Sequence, residues 1–173
     1  MKTLLKLSLA ATAVITAFGA QAQEFPSKDK TVTLVVPYAA GGPTDRVARD
    51  LAEALRKPLG VSVVVDNAAG AGSTIGTAKA ARATPDGYTL LLNHISMSTM
   101  PTMYRKLAFN VVNDFEYLGI INDVPMTLIA KPSMAANNYK ELSTWINQNK
   151  GKINLGNAGQ GSASHLCGLM FQS

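Results

Sequence analysis

Glycines recur at three places where an apolar run gives way to a helical pattern: Gly41-Gly42, Gly70-Ala71-Gly72 and Gly159-Gln160-Gly161. Glycine lets a backbone approach a ligand closely and adopt positive φ. The helix start behind such a loop presents unpaired N–H groups and the positive end of the helix dipole. A carboxylate or phosphate is the guest that suits this arrangement. At the carboxyl ends of strands in an open α/β sheet, it is also where ligands sit. Three such loops in one chain of 173 residues point to anion binding.

The residues available for catalysis are sparser. His94 and His165 are the only histidines, and no G-x-S-x-G elbow accompanies either. Ser162 and Ser164 neighbour His165, which leaves an exported hydrolase as the alternative. Adjacency along one helix does not, however, supply the nucleophile–base–orienter geometry. His165-x-Cys167 is too sparse for a metal site. Gly70-x-Gly72-x3-Gly76 follows a strand pattern but has one residue too many before its last glycine for a dinucleotide fingerprint. A G-x4-G-K-[ST] phosphate loop is absent. No catalytic residue, metal or cofactor is expected.

The elements that must position the loops follow from periodicity. Residues 31–36 (TVTLVV) form a β-branched run stopped by Pro37, as in a buried strand. Residues 44–57 place Val47, Ala48, Leu51, Ala52 and Leu55 on one helical face. Thr44 or Asp45 is expected to cap this helix, and Pro58 with Gly60 to close it. The cycle repeats with a strand at 61–65, a helix at 73–83, a turn at Pro85-Asp86-Gly87 and a strand at 88–92. Alternating strands and helices joined by short loops predict an α/β layer on a parallel sheet. The pattern loosens over 93–113. Apolar runs follow at 117–121 and 126–130, the second stopped by Lys131-Pro132. Asn138 with Glu141 makes a capping box for a helix carrying Tyr139, Leu142, Trp145 and Ile146 inward. A short strand at 152–155 leads to the last glycine loop and an apolar segment at 165–171.

Composition is that of an ordinary globular chain: 47% hydrophobic, 16% charged, and a single cysteine, Cys167. The mean hydropathy of +0.10 reflects the N-terminus. Lys2 and Lys6, an apolar stretch over 7–18 and Ala20-Gln21-Ala22 have the layout of a cleavable secretory leader, with cleavage after Ala22. The apolar stretch is too short to span a membrane. Two of the sixteen basic residues leave with it, so the formal charge falls from +5 to +3. The remaining basic residues are scattered and not interleaved with aromatics, so no nucleic-acid partner is expected. The product is expected to be exported and not membrane-spanning.

Four blocks carry a specific resemblance. Val36-Pro37-Tyr38-Ala39-Ala40-Gly41-Gly42-Pro43-Thr44-Asp45 with Ala48-Arg49 is the first, and Asp66-Asn67-Ala68-Ala69-Gly70-Ala71-Gly72 with Ile75-Gly76 the second. Pro85-Asp86-Gly87-Tyr88-Thr89-Leu90-Leu91 and Gly156-Asn157-Ala158-Gly159-Gln160-Gly161-Ser162 with His165-Leu166 complete the series. In this order they resemble the Bug-type solute receptors, the periplasmic substrate-binding proteins of tripartite tricarboxylate transporters. The resemblance implies an α/β fold of the periplasmic-binding-protein type II kind, with two lobes closing on a small organic acid without catalysis. It also implies transporter membrane subunits as partners. The ligand's carboxylate would be held by Tyr38, Ala39, Gly41, Gly42 and Thr44 of the first loop and by Asn157, Gly159, Gly161 and Ser162 of the last. Gly41 and Gly42 would donate amides, and Thr44 and Ser162 hydroxyls, while Asp45 would cap its helix. Asn93, His94 and Ser96, just past the third strand, would line the cleft.

Members of that family have roughly twice this length. The expectation is therefore a fragment: lobe one over 23–121 and incomplete, hinge strands at 122–131, and the start of lobe two at 132–173. A chain of this kind is expected to bind weakly alone, to expose apolar surface, or to be a non-functional relic of a receptor.

Overall fold

The structure, a computed structural model, describes residues 25–173. The leader expected over 1–22 and its cleavage site lie outside the described residues. Three strands form one parallel sheet: β1 (Val32–Val36), β2 (Val63–Asn67) and β3 (Thr89–Leu91), in the order β2-β1-β3. The register runs from Val32 opposite Val63 to Val36 opposite Asn67, and from Thr33 opposite Thr89 to Val35 opposite Leu91. All three strands therefore finish at one edge, where Tyr38, Asn67 and Asn93 emerge. The expected parallel α/β layer is what forms.

Helix α1 (Pro43–Leu59) connects β1 to β2, and a 3₁₀ turn (Ala71–Ser73) followed by α2 (Thr74–Ala81) connects β2 to β3. The two crossovers, β1 to β2 and β2 past β1 to β3, run in opposite directions across the sheet, and the usual right-handed connection puts their helices on opposite faces. Val32, Leu34 and Val36 alternate onto one face and pack with Ala48 and Ala52 of α1 and with Val61 and Val63. Each fully buried Val or Leu contributes about 1.5–3 kcal/mol. Gly76 lets α2 press against the end of β1, since a Cβ there would lie 2.6 Å from Ala68 O and 2.7 Å from Pro37 Cβ.

The start of α1 differs from expectation. Gly42 is the N-cap and Pro43 takes the first helical position, which suits its fixed φ and missing donor. Neither Thr44 nor Asp45 is the cap residue, although the Asp45 carboxylate reaches back to the Gly41 amide at 2.8 Å. Gly60, at φ 67°, closes the helix by donating its N–H to Arg56 O.

Helix α3 (Ser96–Met103) fills part of the stretch where the sequence pattern loosens. It forms despite Pro101 because Met100 is fully buried with Phe109 and Ala78 in a second apolar cluster. Tertiary packing overrides its poor intrinsic propensity. Helices α4 (Tyr139–Gln148) and α5 (Ala163–Gln172) complete the described elements. The Asn138 side chain accepts the Glu141 N–H at 3.0 Å, but Glu141 Oε2 takes the Asn137 amide at 2.8 Å, one residue earlier than a strict capping box requires. None of α4 is fully buried, and Tyr139, expected inward, is 69% exposed with its ring edge towards Phe171.

The runs at 117–121 and 126–130, the hinge segment 122–131 and residues 152–155 carry no strand. A β-strand exists only by exchanging hydrogen bonds with a neighbour, and among the described residues none pairs with these. Leu118, Ile120 and Ile129 are instead 83%, 89% and 87% exposed.

Candidate functional site

Strand order β2-β1-β3 places a topological switch between β1 and β3: the chain leaves β1 towards β2 and then crosses to the other side. The crevice outside the carboxyl ends of strands at such a point is where ligands of open α/β sheets bind. Tyr38 enters it from β1, and Asn93, His94 and Ser96 enter from β3 and the start of α3. The sequence grouped these residues only by position, and the fold brings them into contact.

The contacts form a closed polar network. The Tyr38 hydroxyl donates to Asn93 Oδ1 at 2.6 Å and lies 2.7 Å from Ser96 Oγ. Ser96, fully buried, donates to Asn93 Oδ1 at 2.7 Å and accepts from Ser73 Oγ at 2.9 Å. Asn93 Nδ2 donates to Thr77 Oγ1 at 2.9 Å, and Thr77 Oγ1 donates to Ser73 O at 2.8 Å. The His94 ring stacks on Tyr38 with centroids 4.2 Å apart and planes 12° from parallel. Burial raises the Tyr38 phenol above its ordinary pKa and lowers the His94 imidazole below its own. Both stay neutral near pH 7, so the crevice floor offers dipoles and hydroxyls rather than charge.

Asp45 organises the adjacent loop. Only 3% exposed, its carboxylate accepts from Gly41 N at 2.8 Å, Arg49 Nε at 3.0 Å and Asn67 Nδ2 at 3.0 Å. The Arg49 hydrogen bond is the main cause that holds its pKa down to about 2, with the Gly41 amide adding to it. Asn67 also donates to Tyr38 O at 3.2 Å, tying the end of β2 to the loop. The Gly41 amide is thus spent within the loop. Among the described residues no protein partner meets the Gly42 N–H or the Thr44 hydroxyl, which remain as donors beside exposed Ala39.

The last glycine loop docks against α3 and the 3₁₀ turn. Gly161 O accepts from Thr99 Oγ1 at 2.7 Å, and Gln160 O accepts from Tyr104 Oη at 3.1 Å. Gly72, at φ 59°, has no room for a side chain: a Cβ would run into the Tyr104 hydroxyl and sit 2.5 Å from Gln160 O. Gly159 faces it, a Cβ there falling 3.3 Å from Gly72 Cα. The second and third glycine loops therefore meet each other at Gly72 and Gly159, while a Cβ at Gly70 would meet Ile75 and one at Gly161 would meet Thr99. Asn157 is exposed and its Oδ1 accepts the Gly159 N–H at 2.9 Å. Ser162, 2% exposed, caps α5 by accepting the His165 N–H at 3.2 Å. His165 Nδ1 in turn accepts the Gly161 N–H at 3.3 Å, so that nitrogen faces an amide rather than a serine hydroxyl. This is not the arrangement of a serine hydrolase.

Ser73, Thr77 and Asn67 belong to the site and were not expected from the sequence. Only the strand-to-helix placement of Ser73 points to it; Ser73 adopts φ 78°, unusual for a non-glycine residue, and its hydroxyl makes a buried bond to Ser96. Among the described residues no group of three His, Cys, Asp or Glu could hold a metal ion, and no helix is long and apolar enough to cross a membrane.

Residues 47–173 match the model of the tripartite tricarboxylate transporter family receptor. A curated relative from Agrobacterium vitis, the UPF0065 protein of the TAR-I ttuE-ttuC' intergenic region, is 42% identical across 93% of this chain and 46% of its own. The solved periplasmic binding protein BugD superposes with a TM-score of 0.80 at 52% identity, over 84% of this chain and 48% of BugD. MatC from Rhodopseudomonas palustris, solved with malate, gives 0.77 at 33% identity over 86% of this chain and 50% of its own. An R. palustris protein solved with adipate gives 0.81 at 29% identity, again over 86% and 50%. The chain spans about half the length of the curated relatives and solved structures it matches.

Proposed function

The chain belongs to the tripartite tricarboxylate transporter receptor family, and on that premise we propose that it supplies the ligand crevice of a periplasmic receptor for a small organic acid. The observation that carries this is the polar network of Tyr38, Asn93, Ser96 and Ser73 at the switch point between β1 and β3. The unspent Gly42 amide and Thr44 hydroxyl at the start of α1 are suited to a carboxylate, which the positive end of a 17-residue helix favours. Two relatives were solved with dicarboxylates, malate and adipate. A di- or tricarboxylate is therefore the ligand class for this chain.

The remaining proposals follow from the same premise. The leader pattern over 1–22 supports export to the periplasm, with membrane subunits of a transporter as downstream partners. The protein acts by binding and release rather than by catalysis. Site roles fall to Tyr38, Ala39, Gly42 and Thr44 from the first loop and Asn93 and Ser96 from the β3 edge. Gly159, Gly161 and Ser162 shape the opposing loop, with Gly41 and Asn157 bracing theirs. A thermal-shift panel of dicarboxylates, tricarboxylates and amino acids tests the ligand class: at least one acid should raise Tm saturably. No shift with any acid removes the proposal.

A further inference from the structure

Among the described residues, His94 Nδ1 is a buried side-chain nitrogen with no hydrogen-bond partner. Such orphans are rare in folded proteins, and each needs a reason. The ring is nonetheless firmly placed. It lies flat on Tyr38 at 4.2 Å, and the Tyr38 hydroxyl is itself held by Asn93 and Ser96. The His94 N–H donates to Asn93 Oδ1 at 2.8 Å, and its carbonyl accepts from Met97 N at 3.0 Å. Stacking and backbone, not its own ring nitrogens, fix the imidazole.

A phenylalanine would give the same stack without the orphan, so packing alone does not explain a histidine. Burial keeps the imidazole neutral, with one proton on one nitrogen. Burying a bare lone pair is more readily tolerated than burying an unpaired N–H. With the proton on Nε2, the atom left without a partner is a lone-pair nitrogen rather than an N–H, and the residue as a whole is only partly buried. Its place is the carboxyl edge of β3, inside the switch-point crevice.

We infer that His94 is a ligand-reading residue: its imidazole, held flat by Tyr38, donates a hydrogen bond from Nε2 to an oxygen of the bound organic acid. The inference rests on the receptor function proposed above. A neutral donor fixed in direction selects for the position of an acceptor oxygen rather than for total charge.

Calorimetric titration of the chain and two variants with L-malate and adipate, together with the Tm of each unliganded protein, tests this. His94→Phe keeps an aromatic stack and removes the nitrogens. It should hold or raise the unliganded Tm and weaken acid binding about tenfold or more, the loss expected for a hydrogen bond to a charged acceptor. His94→Gln returns an amide donor near the Nε2 position and should bind more tightly than His94→Phe, even at a lower Tm. Wild-type affinity in His94→Phe, or a folded His94→Gln no better than His94→Phe, overturns the role of His94 alone. An absence of binding by the wild type to either acid, or to the wider panel, overturns the receptor function beneath it and is seen before any variant is compared.

Discussion

The carboxylate of Asp45 accepts the amide of Gly41 at 2.8 Å, closing the β1–α1 loop on itself one turn into the helix. Arg49 Nε and Asn67 Nδ2 bind the same carboxylate, so one buried side chain fixes the loop, the helix and the end of β2 together. The loop is held in shape by a group whose own oxygens are taken up by these three partners.

Asp45→Asn should therefore destabilise the chain, lowering Tm by several degrees. It exchanges an ionised acceptor of three bonds for an amide that presents a donor to some of the same partners. Circular-dichroism melting checks this, and an unchanged Tm would show the carboxylate to be dispensable.

Acid titration gives a signed counterpart. The Asp45 pKa is lowered to about 2 in the folded state, against an ordinary carboxylate value near 4. Its stabilisation is complete above about pH 4 and is lost as pH falls through about 2. Between those limits the unfolding midpoint of the wild type should fall more steeply than that of Asp45→Asn. Parallel curves would deny the linkage.

Gly72→Ala should loosen the contact between the second and third glycine loops. The added methyl meets the Tyr104 hydroxyl and the Gln160 carbonyl at a position with φ 59°. Gly41→Ala, where φ is 82° but nothing lies within 4 Å of the added carbon, should cost only the left-handed backbone preference of about 1–2 kcal/mol. Equal losses of Tm in the two variants would contradict this difference. Tyr104→Phe, which removes the bond to Gln160 O without a clash, should cost less than Gly72→Ala.

Much of this architecture is legible from residue patterns, and the misses have physical causes. The β-branched run ending at Val36 predicts β1 because the strand is buried almost throughout, and the apolar face of Ala48 and Ala52 predicts α1 because helical burial is periodic. Helix α3 escapes prediction because Ser96, Thr99 and Pro101 are poor helix formers, and only the burial of Met100 reveals why it forms. The apolar runs at 117–130 have strand composition, but composition cannot provide the neighbour that a ladder requires. Within the site, the glycine loops stand out as a repeated pattern. Ser73 and Thr77 do not, since a small hydroxyl residue looks the same in sequence whether it is solvated or at the centre of a buried network.

The exposed run gives a separate prediction. Ile120→Lys with Ile129→Lys replaces side chains 89% and 87% exposed, so Tm should stay within about 1 °C while dye binding to apolar surface and aggregation fall. A large drop in Tm would place these side chains in a core.

The central claim is that the crevice between the carboxyl ends of β1 and β3 holds an organic acid. The most direct measurement is an amide chemical-shift map of the isotope-labelled chain during titration with malate and adipate. Saturable shifts concentrated at Gly42 and Thr44 on one side, and at Asn93, His94 and Ser96 on the other, are the predicted result. Saturable shifts confined to other parts of the molecule, or none with any acid tried, would contradict it.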